Sequence, residues 1–382
     1  MKPLTRIGAA VTVAATALAT AAALAGPAGA STAQGGFHGG ASHVVFVQND
    51  NLTGNQVIAY RRAGDGTLTQ AGTYSTGGKG GQLTGSVVDH LASQGSLTYD
   101  PADGLLYAVN AGSNTVSVFA SHGDHLYLRQ VISSGGTFPV SVATHGDLVY
   151  VLNALEGGSV QGYRVFRGRL FPMRGSNRPL GLDPTATPQF TNTPGQVAFT
   201  PNGSQLVVTT KANGNDIDVF GVSAWGTLSA HPVVNSEPNE VPFAVIFDRA
   251  GHLVVAESAS NSAVASFTLN RDGTVTPVDQ VLTTQAATCW IARDGNHVFA
   301  SNAGSATVSG LTDRAGKLTL GGQTTTDPGT VDAAASPHGR YLYVQTGGNG
   351  IVDEFSVSGG SLTQIGSVTV PNAVGAEGIA AA

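Results

Sequence analysis

Short apolar runs alternate with polar turns along most of this chain, and one two-strand pattern recurs from end to end. The segment 105–119 shows it clearly: an apolar run ends at Asn110, a Gly/Asn turn follows, and a second alternating run ends at Phe119. Runs of this length, bounded by turn residues, predict β-strands and not helices. Seven copies can be aligned, and their first strands end at Asn49, Asn110, Asn153, Thr210, Glu257, Asn302 and Thr346.

Each copy also contains two further predicted strands. A glycine-containing turn after the second strand leads to an outer run, which begins near Leu68 in the first copy and near Leu126 in the second. A short run of small and apolar residues, such as 140–143, precedes each of the later copies. Repeats of about 40–50 residues with four strands are typical of propeller blades. The sequence therefore predicts an all-β, seven-bladed β-propeller with four antiparallel strands per blade.

The two ends of the repeat region indicate how the ring closes. The first copy begins directly at residues 43–47 and has no innermost strand before it, whereas residues 377–381 form an extra strand-like run after the last copy. We expect this C-terminal strand to complete the first blade, because closure leaves no open sheet edge. An open β-solenoid is the alternative, and it would need neither this exchange nor four strands per unit.

The first thirty residues have a different composition from the repeats. Lys2 and Arg6 precede an apolar, alanine-rich run, and the small residues Ala28, Gly29 and Ala30 follow it. This pattern predicts a secretory signal peptide, with an uncleaved membrane anchor as the alternative. We thus expect a signal peptide (1–30), a flexible leader (31–42) and a secreted propeller (43–382), without stable membrane insertion after cleavage.

Composition narrows the possible functions further. Charged residues make up 11% of the chain and the formal net charge is −6, which argues against nucleic-acid binding. The single cysteine, Cys289, excludes an internal disulfide and an iron–sulfur cluster. No tight cluster of ligand residues indicates a metal, and no cofactor is predicted. We expect a monomer, because a closed propeller has no strand edge to pair.

Strand direction decides which loops share a face of the ring. Turns after the first and third strands of each blade lie on one face, and the loops after the second strands and between blades lie on the other. Two insertions, roughly 75–93 and 172–193, fall on this second face. Long loops on a rigid scaffold often carry function, so we expect the ligand site in the central pocket of the insertion-bearing face.

Polar residues on that face and along the central channel are the candidate site residues. Glu257 is the candidate catalytic residue, because it breaks an Asn/Thr pattern with a charge, and His90 is a candidate general base. For Glu257 a salt bridge or a solvated position is the alternative, and asparagines before turns often bond their own backbone. The candidate ligand-binding residues are Asn49, Asn110, Asn153, Asn302, Gln94, Gln196, Lys211, Arg178 and Asp332.

The blade motif Leu-Tyr-x-x-Asn…Val-x-x-Phe at 106–119, with a related stretch at 342–355, resembles that of the seven-bladed propeller lactonases. This family includes the propeller-type 6-phosphogluconolactonases and the carboxymuconate-cyclase-like proteins. The resemblance covers residues 43–382 and implies the propeller fold. Local strings such as Pro139-Val140-Ser141-Val142 and Cys289-Trp290 resemble a secreted branch of the family.

The resemblance also implies a catalytic segment, Pro-Arg-His, followed by a Glu at the end of the next strand. The matching stretch here is Pro242-Phe243-Ala244, leading to Glu257, so the Glu is retained while the Arg and the His are replaced. We therefore expect a propeller with a degenerate lactonase site that binds an extracellular small molecule or protein. The alternative is a lactone hydrolase or cyclase-like enzyme that acts on a non-phosphorylated lactone through Glu257 with His90 or Arg178.

Overall fold

A computed structural model describes residues 43–382, which form seven antiparallel sheets. Each sheet has a path of four strands, and the third carries one short additional strand. At six of the seven junctions of the ring the innermost strands of neighbouring sheets contact each other, and at the seventh an innermost strand contacts the second strand of its neighbour. The predicted seven-bladed β-propeller is therefore confirmed. The predicted signal peptide and leader lie outside the described residues.

The strands follow one another blade by blade. Blade 1 opens with β1 (Val44–Gln48), β2 (Gln56–Arg62) and β3 (Leu68–Ser75). Blade 2 contains β4 (Leu97–Asp100), β5 (Leu105–Asn110), β6 (Thr115–His122) and β7 (His125–Ser133). Blade 3 contains β8 (Pro139–His145), β9 (Leu148–Asn153), β10 (Ser159–Phe166), β11 (Arg169–Pro172) and the short β12 (Arg178–Pro179). Blade 4 contains β13 (Val197–Phe199), β14 (Gln205–Thr209), β15 (Asp216–Gly221) and β16 (Val233–Ser236).

The remaining blades repeat this order. Blade 5 contains β17 (Pro242–Phe247), β18 (Leu253–Glu257), β19 (Ala263–Leu269) and β20 (Val275–Leu282). Blade 6 contains β21 (Thr288–Asp294), β22 (His297–Asn302), β23 (Thr307–Arg314) and β24 (Lys317–Thr325). Blade 7 contains β25 (Thr330–Ala335), β26 (Tyr341–Thr346), β27 (Ile351–Ser358) and β28 (Ser361–Thr369), and β29 (Ile379–Ala381) returns to blade 1.

Helical structure is confined to short turns in the loops. The two α-helices within residues 43–382, α1 (Gln189–Asn192) and α2 (Lys211–Gly214), have four residues each. No helix in this part of the chain is long and apolar enough to cross a membrane.

Buried tyrosines link neighbouring blades. The hydroxyl of Tyr150 in blade 3 donates a hydrogen bond to the carbonyl of Gly226 in blade 4, at 2.7 Å. The hydroxyl of Tyr343 in blade 7 makes the same bond to the carbonyl of Gly66 in blade 1, also at 2.7 Å. The rings are fully buried between sheets, and glycines turn the chain with positive φ at both acceptor positions. These two tyrosines thus fasten blade 3 to blade 4 and blade 7 to blade 1.

The two insertions meet over the central channel. The first forms the loop 76–96, and the second extends over residues 173–196 and includes β12 and α1, so both lie close to the predicted bounds. The amide of Thr84 in the first loop donates to the side-chain oxygen of Gln189 in the second, at 3.0 Å. The first loop also bonds blade 2 through Lys79 and the C-terminal segment through His90. It therefore spans the insertion-bearing face and covers the channel.

Ring closure depends on β29, which pairs antiparallel with β1. Ile379 lies opposite Val47, is 5% exposed, and packs in the apolar cluster that joins blades 1 and 7. We predict that Ile379→Ala lowers the free energy of unfolding by about 2–4 kcal/mol, because a buried side chain is removed from the closing strand.

Urea unfolding would measure this loss. Val374→Ala is the matched control, since Val374 is 63% exposed in the nearby loop, and it should change the free energy by less than about 0.5 kcal/mol. Equal effects of the two variants would contradict the prediction that the buried side chain of Ile379 stabilises the closed ring.

Candidate ligand-binding site

A cavity of about 390 Å³ lies on the insertion-bearing face. One wall comes from the two insertions, including Val88 and Phe190, and the other comes from blades 5 and 6. The rings of Phe243 and Trp290 stand side by side in that second wall, with centroids 4.9 Å apart. The lining is mainly apolar, and its size falls within the range of small-molecule sites.

Lys211 borders this cavity, but its ammonium group is already fully bonded. Its Nζ donates to the carbonyls of Ala92 at 2.6 Å and Phe190 at 2.7 Å, and to Oγ1 of Thr193 at 3.2 Å. A lysine has three donors, so each is used. The side chain is 1% exposed, and this burial lowers the pKa of Lys211, although Asp89 opposes the shift. Lys211 therefore connects the two insertions, and its ammonium group is not free to bind an anion.

Asp89 supplies a carboxyl group to the same cavity. It comes from the first insertion and is 7% exposed. Burial raises the pKa of Asp89, and the nearby charge of Lys211 opposes this shift. The cavity thus combines apolar and aromatic walls with one carboxyl group that can accept a hydrogen bond, or donate one when protonated.

Glu257 lies in different surroundings from this cavity. It ends β18, is 1% exposed, and accepts a hydrogen bond from Nε2 of Gln280 at 2.7 Å. It lines a separate groove of about 360 Å³ together with Glu237 and Glu240. Burial raises the pKa of Glu257 to about 7, and the two neighbouring glutamates add to the shift. A carboxyl group surrounded by acids is poorly placed to bind an acidic lactone.

His90 is not brought together with Glu257. It lies in the first insertion, where its backbone amide donates to the carbonyl of Gly375 at 2.7 Å. The ring is partly buried, which lowers the pKa of His90. The two candidate catalytic residues therefore occupy separate parts of the structure. The cavity is lined by Asp89, the residue before His90, and by neither His90 nor Glu257.

The four candidate asparagines are bonded inside the blades. Nδ2 of Asn110 donates to the hydroxyls of Thr115 and Ser117, and Asn302 makes the equivalent bonds in blade 6. Asn153 donates to the carbonyl of Ser134 at 3.2 Å, while Asn49 donates to Gln56 and to the carbonyl of Pro371. All four are at most 1% exposed, so their amides hold strands and turns and do not face the cavity.

Gln94, Gln196 and Asp332 line a smaller cavity of about 320 Å³ beside the innermost strands. The side-chain oxygen of Gln94 accepts from the amide of Ile291 at 2.8 Å, and that of Gln196 accepts from the amide of Val245 at 2.6 Å. These glutamines therefore clamp innermost strands to one another. Asp332 is 5% exposed, and burial raises its pKa to about 7.

Arg178 serves the second insertion in the same structural way. Its guanidinium donates to four backbone carbonyls, those of Gly175, Asn177, Leu228 and Ser229. These bonds attach the insertion to blade 4. No group of three or more His, Cys, Asp or Glu side chains within residues 43–382 is placed to hold a metal ion.

Left-handed backbone near the cavity is a feature of the propeller itself. Val241, in the cavity wall, has φ 54°, which is uncommon for a β-branched residue. The residues that directly precede the innermost strands of blades 3, 6 and 7, Phe138, Ala287 and Gly329, also have positive φ. The conformation at Val241 therefore belongs to the entry of an innermost strand and is not specific to the cavity.

Sequence reasoning did not identify the cavity walls. Phe243 and Trp290 occupy innermost strands, where an aromatic residue ordinarily signals core. The one available signal was the resemblance, which placed Phe243 at the position of a lactonase arginine.

Comparisons with solved structures agree with this fold. A protein named as a putative 6-phosphogluconolactonase, from Bacteroides fragilis, matches with a TM-score of 0.69 and 19% identity over 88% of this chain and 97% of its own. The periplasmic gluconolactonase of Pseudomonas aeruginosa matches with a TM-score of 0.65 and 17% identity, over 86% and 96%. A protein from Lactobacillus plantarum matches at 0.69 and 20%, over 88% and 98%.

The resemblance to propeller lactonases is thus confirmed for the fold, which is what identities of this size show. No protein-family model and no curated protein sequence matches the chain.

Two buried carboxyl groups predict an unusual dependence of stability on pH. Burial raises the pKa of both Asp50 and Asp332 to about 7, whereas an unfolded chain has a value near 4. The folded state therefore binds more protons between these values. The stabilisation is fully present below about pH 4 and is lost as the pH rises through about 7.

We predict that the protein is more stable at about pH 5 than at about pH 7.5, and that Asp332→Asn shrinks this difference by roughly 1–3 kcal/mol. Urea unfolding at the two pH values measures it. Asp65→Asn, at an exposed turn, is the control and should leave the difference unchanged. A pH dependence that is identical in Asp332→Asn and in the unmodified protein would contradict the prediction.

Proposed function

We propose that this chain is a ligand-binding propeller, and that its ligand is a compact, largely apolar small molecule held between the two insertions. The observation that carries this proposal is the cavity of about 390 Å³, which has the aromatic pair Phe243 and Trp290 in one wall. Asp89 gives the cavity one polar contact. A ligand with a single hydroxyl or amide group on an apolar body matches this arrangement.

Phe243 supports the proposal in a second way. It stands where the lactonase resemblance implies an arginine, and its ring packs against Trp290 and lies 5.1 Å from the Lys211 ammonium. A cation for an acidic substrate is thus replaced by an aromatic wall, and the nearby lysine is committed to backbone carbonyls. These changes favour a neutral, apolar ligand over an acidic lactone.

We also propose that the protein acts outside the cell on an extracellular molecule. The basic start, the apolar run and the small residues before position 31 support this part of the proposal.

Trp290 provides a direct measurement of ligand binding. The chain has two tryptophans, and Trp225 is 80% exposed, so Trp225→Phe leaves Trp290 as the only reporter. We predict that one or more of cyclohexanol, p-cresol and dihydrocoumarin shifts Trp290 emission in a saturable way. Ala303 lines the cavity, and Ala303→Phe should fill it and weaken binding about tenfold or more.

The control is Ala102→Phe, a substitution of the same size at an exposed turn. It should leave the titration unchanged. If none of the three probes alters the emission, or if Ala303→Phe binds as well as the unmodified cavity, the proposal is wrong.

A lactone hydrolase remains the second candidate, and the position of Asp89 favours it. A carboxyl group whose pKa is raised by burial can act as a general base near neutral pH. It would take a proton from water as the water oxygen attacks the lactone carbonyl. The ring C–O bond would then break, and the released alkoxide would take the proton back from Asp89, which returns to its ionised form.

A hydrolysis assay separates the two functions. We predict that unphosphorylated sugar lactones and aryl lactones show equal, background hydrolysis with the unmodified protein, with Asp89→Asn and with Glu257→Gln. Turnover that disappears in Asp89→Asn would establish a hydrolase at the cavity. Turnover that disappears only in Glu257→Gln would place the reaction in the acidic groove of blade 5.

A further inference from the structure

A second groove, away from the ligand cavity, lies where the second insertion passes blade 4. Its volume is about 740 Å³. Leu180, Leu182 and Val234 contribute apolar walls, and Asp216 and Asp218 contribute carboxyl groups from β15. Asp183 and His231 also line this groove, which we call the blade 4 groove.

The side chain of Asp218 lacks a hydrogen-bond partner at a position where the polar residues of three other blades have one. The third residue of the third strand is Ser117 in blade 2, Gln161 in blade 3 and Asp353 in blade 7. Ser117 donates to the carbonyl of Thr76 at 2.7 Å, and Gln161 donates to the hydroxyl of Ser176 at 2.7 Å.

Asp353 is the most informative comparison, because it is also an aspartate. Its two oxygens accept from Nε2 of Gln364 at 3.0 Å and from the amide of Asp327 at 2.9 Å. Asp218 is 4% exposed, and its buried Oδ1 has no partner within residues 43–382. A buried carboxyl oxygen without a donor is costly, so the groove is missing a donor that its counterpart has.

The charges around the groove indicate what kind of donor would fit. Asp216 lies two residues from Asp218 on the same strand, and its charge adds to burial in raising the pKa of Asp218 to about 7. Within the described range, none of the ion pairs includes Asp183, Asp216 or Asp218. Arg178 is the nearest arginine along the insertion, and its guanidinium already donates hydrogen bonds to backbone carbonyls. The groove thus has an excess of acidic groups, and no lysine or arginine is among the residues that line it.

We infer that the blade 4 groove binds a small organic cation, a guanidinium or primary ammonium group on a short apolar stem. The cationic group would donate to the carboxyl group of Asp218, which lines the groove, and the stem would pack on Leu182 and Val234. A guanidinium can also offer two parallel donors to a carboxylate. A metal ion is a poorer occupant, because the carboxyl groups of residues 43–382 include no cluster of three placed to coordinate one.

Cross-strand geometry supplies a sharp test. Val234 lies directly opposite Asp218 in the β15–β16 ladder, and it is 57% exposed. Opposite residues on one face of a sheet have Cβ atoms about 5 Å apart, so Val234→Lys would place an ammonium group against Asp218 and compete with the ligand. Val233 is the matched control, because it is also exposed and its side chain points to the opposite face of the strand.

The probes are n-butylguanidinium and n-butylammonium, with n-butylurea as a neutral analogue of the first. Isothermal titration of the purified protein should show binding of a cation at millimolar concentration and at least about tenfold weaker binding of the urea. Asp218→Asn and Val234→Lys should each weaken cation binding about tenfold or more. Val233→Lys and the cavity variant Ala303→Phe should leave it unchanged, which separates this inference from the proposed function.

Several results would overturn the inference. They are no binding of either cation, equal binding of n-butylurea, unchanged binding in Asp218→Asn, or equal losses in Val234→Lys and Val233→Lys. Thermal melting shows whether each variant is folded. If Asp218→Asn fails to fold, Val234→Lys at the exposed position still tests the inference.

Discussion

Closure of the ring by β29 is the constraint on which the other features of this structure depend. Three residues from the C-terminal end pair with the first strand of blade 1. The same segment carries Glu377, whose side chain accepts a hydrogen bond from the amide of Ser93 in the first insertion, at 3.0 Å. The closing strand therefore does more than complete a sheet. It helps to hold the loop that covers the channel and forms one wall of the ligand cavity.

The sequence could predict the fold because blade patterns are local. Each strand can be recognised from its alternating apolar residues and the glycine turn beside it. The extra strand-like run at 377–381 could be assigned to the first blade, which was the one blade without an innermost strand of its own. The residues of the candidate site were harder to predict than the fold. Lys211 was predicted to be a ligand-binding residue, but its donors bond the carbonyls of Ala92 and Phe190, which come from two separate insertions. Contacts between segments so far apart in sequence have no periodic signal.

The catalytic residues were also hard to predict, because the sequence does not show in which direction a side chain points. Glu257 ends its strand at the same repeat position as Asn110 and Asn302, which made it a candidate for the central pocket. The structure turns its carboxyl group into an acidic groove with Glu237 and Glu240. Because these two glutamates lie in a loop between β16 and β17, their approach depends on tertiary packing. Repeat position alone could not show which groove the side chain would face.

Because the blades repeat, a residue in one blade can be compared with the residue at the same position in another blade. This comparison shows what is unusual about the unpaired carboxyl group of Asp218. Asp218 and Asp353 share a residue type and a blade position, so the framework around them is closely comparable. What differs is the neighbouring chain: Asp327 precedes blade 7 and offers its amide to Asp353, whereas the insertion beside blade 4 presents leucines to the groove. The second insertion, which meets the first over the central channel, thus leaves an acidic groove open beside blade 4. One loop thereby accounts for both candidate binding sites, one apolar and one acidic.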